Sequence, residues 1–186
     1  MTDKRFPFPD QNSSFAILES DPCYRKIPAG QVHQVFEDAW NLGVQQARLF
    51  AAQNGAGTKS MADILLEQGF GLSYEDVDCV IGNMRYFCEY SPGRQKVTVY
   101  RKSVELWAEN HGFPYAQALN IILAHEYFHH LESTSLGWTS RRFLVPMVTI
   151  GTKSFGKTGI AALSEVGANA FANEYYSICI QSEKLP

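Results

Sequence analysis

Two histidines four residues apart, with a glutamate directly after the first, form the segment His125-Glu126-Tyr127-Phe128-His129. On an α-helix, residues at that spacing lie one above the other on one face, so both imidazoles can reach a single metal ion. Glu126 falls about 100° round the helix from His125, where it can hydrogen-bond a metal-bound water instead of the metal. Zinc lowers the pKa of such a water towards roughly 7, and a neighbouring carboxylate can take its proton as the oxygen attacks a carbonyl. This is the HExxH arrangement of zinc hydrolases, with Glu126 as the expected catalytic base. Only about 0.01 such matches are expected by chance in a chain of this composition. The ordinary alternative is a polar patch on a core helix. It must also explain why His125, His129 and His130 crowd among apolar residues, since buried imidazoles need partners.

A catalytic zinc site takes a third protein ligand and keeps one position open. No histidine follows His130, so the downstream choices are Glu132, Glu165, Glu174 and Glu183. Glu132 would have to fold back on its own helix, and Glu183 lies close to the end of the sequence, where chains fray. Glu165 and Glu174 share the last predicted helix but sit half a turn of the helical wheel apart, so only one can face a metal. Glu174 shares its side with Leu163, Val166, Ala170 and Phe171, which suits the core. Glu165 shares its side with Ala168, Asn169 and Ala172, small residues that let two helices approach closely. The wheel therefore favours Glu165, with Asn169 one turn on as a support for its carboxylate. A solvated carboxylate near a helix N-terminus is the plain alternative.

Several elements must position these groups. Val32 to about Gln53 repeats apolar residues at three- and four-residue steps, predicting an amphipathic helix stopped by Gly55-Ala56-Gly57. Ser60 is an expected N-cap for a helix over Met61 to Gln68, ended by Gly69. Two strand-like stretches follow, Met84 to Tyr90 and the alternating Lys96 to Tyr100, joined by the turn residues Ser91-Pro92-Gly93-Arg94. A helix around Ser103 to Asn110 leads through Gly112 and Pro114 into the histidine-bearing helix, about Tyr115 to Ser133. Leu136 to Lys157 is broken by Pro146, Gly151 and Gly156 and is expected to be irregular, one wall or lid of a cleft that presents Phe143, Leu144 or Val145. A last helix is expected from Thr158 to about Gln181. Residues 1–30 carry four prolines without a sustained period and are expected to form a tail or an arm laid over a single domain at 31–186, with Phe6, Phe8, Phe15, Ile17 and Leu18 as anchors.

At 186 residues and a formal net charge of −3, the chain can bury a real core and carries no general attraction for nucleic acid or anionic membranes. Cys23, Cys79, Cys88 and Cys179 show no CxxC spacing, and no run reaches the ~18 apolar residues of a membrane-spanning helix. A reduced, cytoplasmic setting is expected, without direct nucleic-acid or membrane partners.

Ala124-His125-Glu126-Tyr127-Phe128-His129-His130-Leu131, followed by Glu165-Val166-Gly167-Ala168-Asn169-Ala170-Phe171-Ala172, resembles the ImmA/IrrE family of zinc metallopeptidases. That family pairs an HExxH helix with a helix reading E-x-x-A-N-x-F-A. The resemblance implies that His125, His129 and Glu165 bind one zinc ion and that Glu126 is catalytic. It further implies a compact zincin-like α+β domain, mainly helical with a small sheet, and a protein or peptide substrate such as a helix-turn-helix repressor. It covers roughly residues 60–180. The chain departs from the family where Tyr175-Tyr176-Ser177 replaces its usual Leu-Leu-Met-Pro-like continuation.

The expected activity is zinc-dependent peptide hydrolysis. Its rival is a binding or regulatory module that keeps the zincin fold without turning peptide over. Lys96 to Tyr100 is the expected sheet edge for an extended substrate. Tyr100, Tyr127, Tyr175 and Tyr176 remain open as oxyanion stabilisers, and His33 and His111 are read as ordinary polar residues.

Overall fold

Apolar residues surround the histidine-bearing helix on every side, which is the signature of a helix buried at the centre of a fold. This helix, α5 (Tyr115–Leu131), runs through the middle of the computed structural model, which describes residues 8–54, 59–82 and 84–180. Ala118, Ile121, Leu123, Ala124 and Phe128 of α5 are fully buried. The preceding helix, α4 (Arg101–His111), ends at Gly112, whose φ of 66° lies in the left-handed region. There the Phe113 N–H donates to the Ala108 carbonyl at 2.9 Å and that of Gly112 to Glu109 at 3.2 Å. Paired bonds of this kind close a helix end, and Pro114 then opens α5.

The other helices are α1 (Gln11–Ser20), α2 (Val32–Asn54), α3 (Met61–Glu67) and α6 (Ala162–Tyr175). Helix α6 lies between α2 and α5, and glycines set that spacing. A Cβ on Gly43 of α2 would collide with the Gly167 carbonyl and lie 2.8 Å from the Ala170 Cβ. A Cβ on Gly167 would lie 2.6 Å from Cζ of Phe128 on α5. The close approach of α6 to α5 is thus set at Gly167, beside the small residues Ala168, Asn169 and Ala172 that share the side of Glu165.

The strands are β1 (Gly71–Glu75), β2 (Cys79–Ile81), β3 (Met84–Tyr86), β4 (Cys88–Ser91), β5 (Lys96–Tyr100), β6 (Val145–Ile150) and β7 (Lys153–Thr158). They form a three-stranded sheet of order β1-β5-β4 and two separate pairs, β2-β3 and β6-β7. Strand β1 runs parallel to β5, with Gly71 opposite Lys96, and β4 runs antiparallel, with Ser91 opposite Lys96. Alternation in β5 buries Val97 and Val99. The result is a mainly helical α+β fold with small sheets.

Several expectations are changed or narrowed. Lys96–Tyr100 is the central strand, not an edge, because Gly71–Glu75 pairs along its other side. Met84 to Tyr90 is not one strand: the chain changes sheets at Phe87, whose carbonyl accepts from the Tyr100 N–H at 2.9 Å. Leu136–Lys157 is irregular only in its first part, through 144; from Val145 on, β6 and β7 make an antiparallel hairpin with Val145 opposite Thr158 and Ile150 opposite Lys153. Of the alternatives Phe143, Leu144 and Val145, Leu144 is the exposed one, since Val145 is buried and Phe143 packs against the same core. The last helix begins at Ala162, after β7 and a turn that Ser140 holds by accepting the Ile160 N–H at 2.8 Å.

Residues 8–31 form structure of their own that packs on α2 and α6. Asp10 caps α1 by accepting the Ser13 N–H at 2.8 Å, and Leu18 is buried with Val35, Phe36, Leu163 and Val166. Asp21 accepts the Ala162 N–H at 2.9 Å and so caps α6. The expected stop at Gly55-Ala56-Gly57, the anchor Phe6, the helix end at Gln181 and the rejected ligand Glu183 lie outside the described residues. Among the described residues no helix is long and apolar enough to cross a membrane.

Candidate metal centre

Four-residue spacing on α5 turns His125 and His129 towards the first turn of α6, and Glu165 meets both there. His125 Nε2 lies 3.4 Å from Glu165 Oε2, and His129 Nε2 lies 3.6 Å from Glu165 Oε1. All three ligand atoms fall within 4.8 Å of one another. Donors around a tetrahedral zinc at about 2.0–2.1 Å lie roughly 3.3–3.5 Å apart, close to the two spacings here, which run one to each oxygen of the Glu165 carboxylate. Two imidazoles and a carboxylate are also a donor set zinc accepts. Glu174, the other choice on α6, points away and pairs with Arg48 of α2 at 2.7 Å.

The two histidines are held differently. His129 Nδ1 bonds Glu132 Oε2 at 2.9 Å. Glu132 is itself fully buried, and its Oε1 accepts the Thr139 N–H at 2.7 Å and the Ser164 hydroxyl at 2.8 Å. Carboxylate support of this kind fixes the tautomer and aim of a ligating imidazole. Sequence reasoning dismissed Glu132 as a ligand and missed this role. The readable signal was its position three residues after His129, on the same helix face. Among the described residues His125 has no such partner: its Nδ1 is buried without a hydrogen bond, and its ring packs against Phe8 at 5.4 Å between centroids.

Charge at the site is uneven. Burial opposes ionisation of Glu165, but the hydrogen bond to His125 and the charges of both imidazoles outweigh it and lower this carboxyl to about 2. Burial dominates at Glu126 instead and raises its pKa against the pull of His125 and His129. For His129, burial alone lowers the pKa, yet the Glu132 hydrogen bond together with Glu165 and Glu126 raises it. A proton is thereby easier to place on Glu126 than on Glu165.

Glu126 and Glu165 line two cavities that flank the centre. One, of about 400 Å³, is walled by Met84, Tyr86, Phe87, Trp107 and Ile122. The other, of about 380 Å³, is bounded by Tyr90, Trp138, Ser140, Ala161 and Ser164. The segment after α5 thus does supply a wall, through Trp138 and Ser140 and not through residues 143–145. Cys88 borders the first cavity, but burial and Glu126 push its thiol well up, so it stays neutral.

The remaining candidates fall elsewhere. Asn169 does not support the Glu165 carboxylate; it is buried and donates to the Ser14 hydroxyl of α1 at 3.3 Å. Tyr127, Tyr175 and Tyr176 are buried in the core, and Tyr100 donates to Glu89 at 3.1 Å, so none of the four lines either cavity. Tyr86 and Tyr90 do, a consequence of the strand break at Phe87 that the sequence did not reveal. His130 bonds the Tyr90 hydroxyl at 2.8 Å through Nδ1 and packs edge-on to Phe70, tying α5 to β4. His33 stacks on Phe15, and His111 bonds the Trp107 carbonyl at 2.8 Å, both ordinary as read.

No protein-family model, curated protein or solved structure matches this chain. The likeness to the ImmA/IrrE family therefore rests on the two helical motifs.

Proposed function

We propose that this chain is a zinc-dependent peptidase that hydrolyses a protein or peptide substrate. One observation carries the reading: both Nε2 atoms of the α5 histidines converge on Glu165 at 3.4 and 3.6 Å, while Glu126, which is no part of that triad, borders the cavities on either side.

His125, His129 and Glu165 would hold one zinc ion, which when bound supplies Lewis acidity to a carbonyl and lowers the pKa of water. Glu126 takes the proton from the attacking water and passes it to the departing amine, a task its raised pKa suits. Glu132 keeps Nδ1 of His129 occupied, so Nε2 stays free to ligate. Strand β4 is the sheet edge whose Cys88 and Tyr90 border the cavities, so an extended chain can add along it. The apolar cavity beside Trp107 and Ile122 accepts a large apolar side chain.

The resemblance to ImmA/IrrE peptidases extends the proposal to helix-turn-helix repressors as substrates. The free thiols of Cys23, Cys79 and Cys88 suit a reducing, cytoplasmic setting. Replacing Glu126 by Gln tests the reading. Zinc content should stay at the wild-type level while peptide hydrolysis falls at least 100-fold. Equal hydrolysis by both proteins would remove Glu126 from the chemistry, and no hydrolysis by either would favour a binding module.

A further inference from the structure

Between Glu132 and Glu165 the chain holds no acidic residue but four cations, Arg141, Arg142, Lys153 and Lys157, although its net charge is −3. All four side chains are exposed, and among the described residues none pairs with a carboxylate. Two of the four, Lys153 and Lys157, lie on β7 of the β6-β7 hairpin, while Arg141 and Arg142 precede it. Lys153, Phe155 and Lys157 keep one register against alternate residues of β6, which sets them on one face although Gly156, between the last two, has a φ of 63°. Opposite them stand Ile150, Val148 and Pro146. Ile150, Phe155 and Val148 are 69%, 53% and 49% exposed, a degree that a folded chain rarely leaves on one small ribbon without a purpose.

The ribbon has one edge fit for pairing. Pro146 gives β6 no N–H, and Lys26 Nζ already donates to the Met147 carbonyl at 2.8 Å. Strand β7 pairs only with β6, and every residue from Lys153 to Lys157 is exposed. From its last residue the chain turns into Ala161 and Ser164, which border the cavity at Glu126 and His129.

We propose that β7 is a docking strand for an acidic segment of the protein substrate. That segment is extended and carries a carboxylate, an apolar side chain and a second carboxylate at alternate positions. Its backbone pairs with β7, its carboxylates meet Lys153 and Lys157, about 13 Å apart at strand rise, and its apolar side chain covers Phe155. An anionic membrane fits less well. A hairpin that inserts into lipid leads with apolar residues, whereas here Lys153 shares the tip with Ile150. Naming the partner a substrate rests on the peptidase reading above; the docking itself does not.

Binding tests this without turnover. The full chain, carrying Glu126→Gln so that the probe survives, is titrated into a labelled extended peptide with a Glu-Thr-Leu-Thr-Glu centre. A second peptide has Lys at both Glu positions. The acidic peptide should bind about tenfold tighter, and Lys153→Glu with Lys157→Glu should reverse that preference. Equal binding of the two peptides overturns the docking strand, as does an unreversed preference in the variant. Capture by phosphatidylserine vesicles, or self-association of the protein, without the peptide preference does the same. Preferential binding of the acidic peptide by a protein whose wild type hydrolyses nothing would support the docking strand and sink only the peptidase reading.

Discussion

His129 Nδ1 and Glu132 Oε2 lie 2.9 Å apart, one helical turn from each other, and this contact faces away from the point where His129 Nε2 meets Glu165. The imidazole is thus gripped from behind by a carboxylate that three donors share, from α5, the Thr139 turn and α6. Glu132→Ala leaves these buried donors unpaired and should cost about 3 kcal/mol of stability. It should also weaken zinc binding 10- to 100-fold, the effect usual for loss of such a support. Chemical denaturation and competition with a zinc chelator measure the two effects. Unchanged zinc affinity would mean that the grip on His129 is idle.

The close contact of α2 with α6 gives a second prediction, because α6 carries Glu165. Gly43→Ala drives a methyl group into the Gly167 carbonyl and should destabilise the fold by about 2 kcal/mol. Gly30, where an added Cβ meets nothing within 4 Å, supplies the control. Similar melting temperatures for both variants would refute the tight-packing account.

Much of the candidate site was legible because helical geometry is local. The spacing of His125 and His129 and the small residues beside Glu165 fix faces of helices, and those faces can be read from a list of residues. What escaped depends on partners distant in sequence. Lys96–Tyr100 has the alternation of any half-buried strand, and only β1, twenty-five residues earlier in register, makes it central. Pro92 does end a strand, in the turn between β4 and β5, whereas Pro146 suggested interruption yet sits in β6 opposite Lys157 without ending it. Helix α1 is held by Leu18, with Phe15 and Ile17 packed beside it, and by polar contacts from α6, Asn169 to Ser14 of α1 and Asn173 to Pro9 just before it. Polar contacts of that kind leave no period to detect.

Asn169 follows as a third prediction. Its side chain reaches Ser14, while Asn173 donates to the Pro9 carbonyl at 2.9 Å. Asn169→Ala should therefore cost about 1–2 kcal/mol and speed hydrogen exchange over residues 11–20. Zinc affinity should stay within twofold. A selective loss of zinc with unchanged exchange in α1 would return Asn169 to the ligand carboxylate.

His130 gives a fourth. Its bond to Tyr90 and its contact with Phe70 make it a brace between α5 and the sheet. Tyr90→Phe leaves Nδ1 of His130 without its partner and should lower stability by about 1 kcal/mol, with full zinc content retained. Loss of zinc in Tyr90→Phe would show that His130 takes part in the metal centre.

The most direct test is zinc stoichiometry of the purified full chain, measured by mass spectrometry of the metal after reconstitution and removal of free ion. Wild type should hold one zinc per chain, and His129→Ala and Glu165→Ala should each lose it while Glu174→Ala keeps it. A wild type that retains no zinc, or a Glu165→Ala variant that binds it as tightly as wild type, would contradict the metal centre formed by His125, His129 and Glu165.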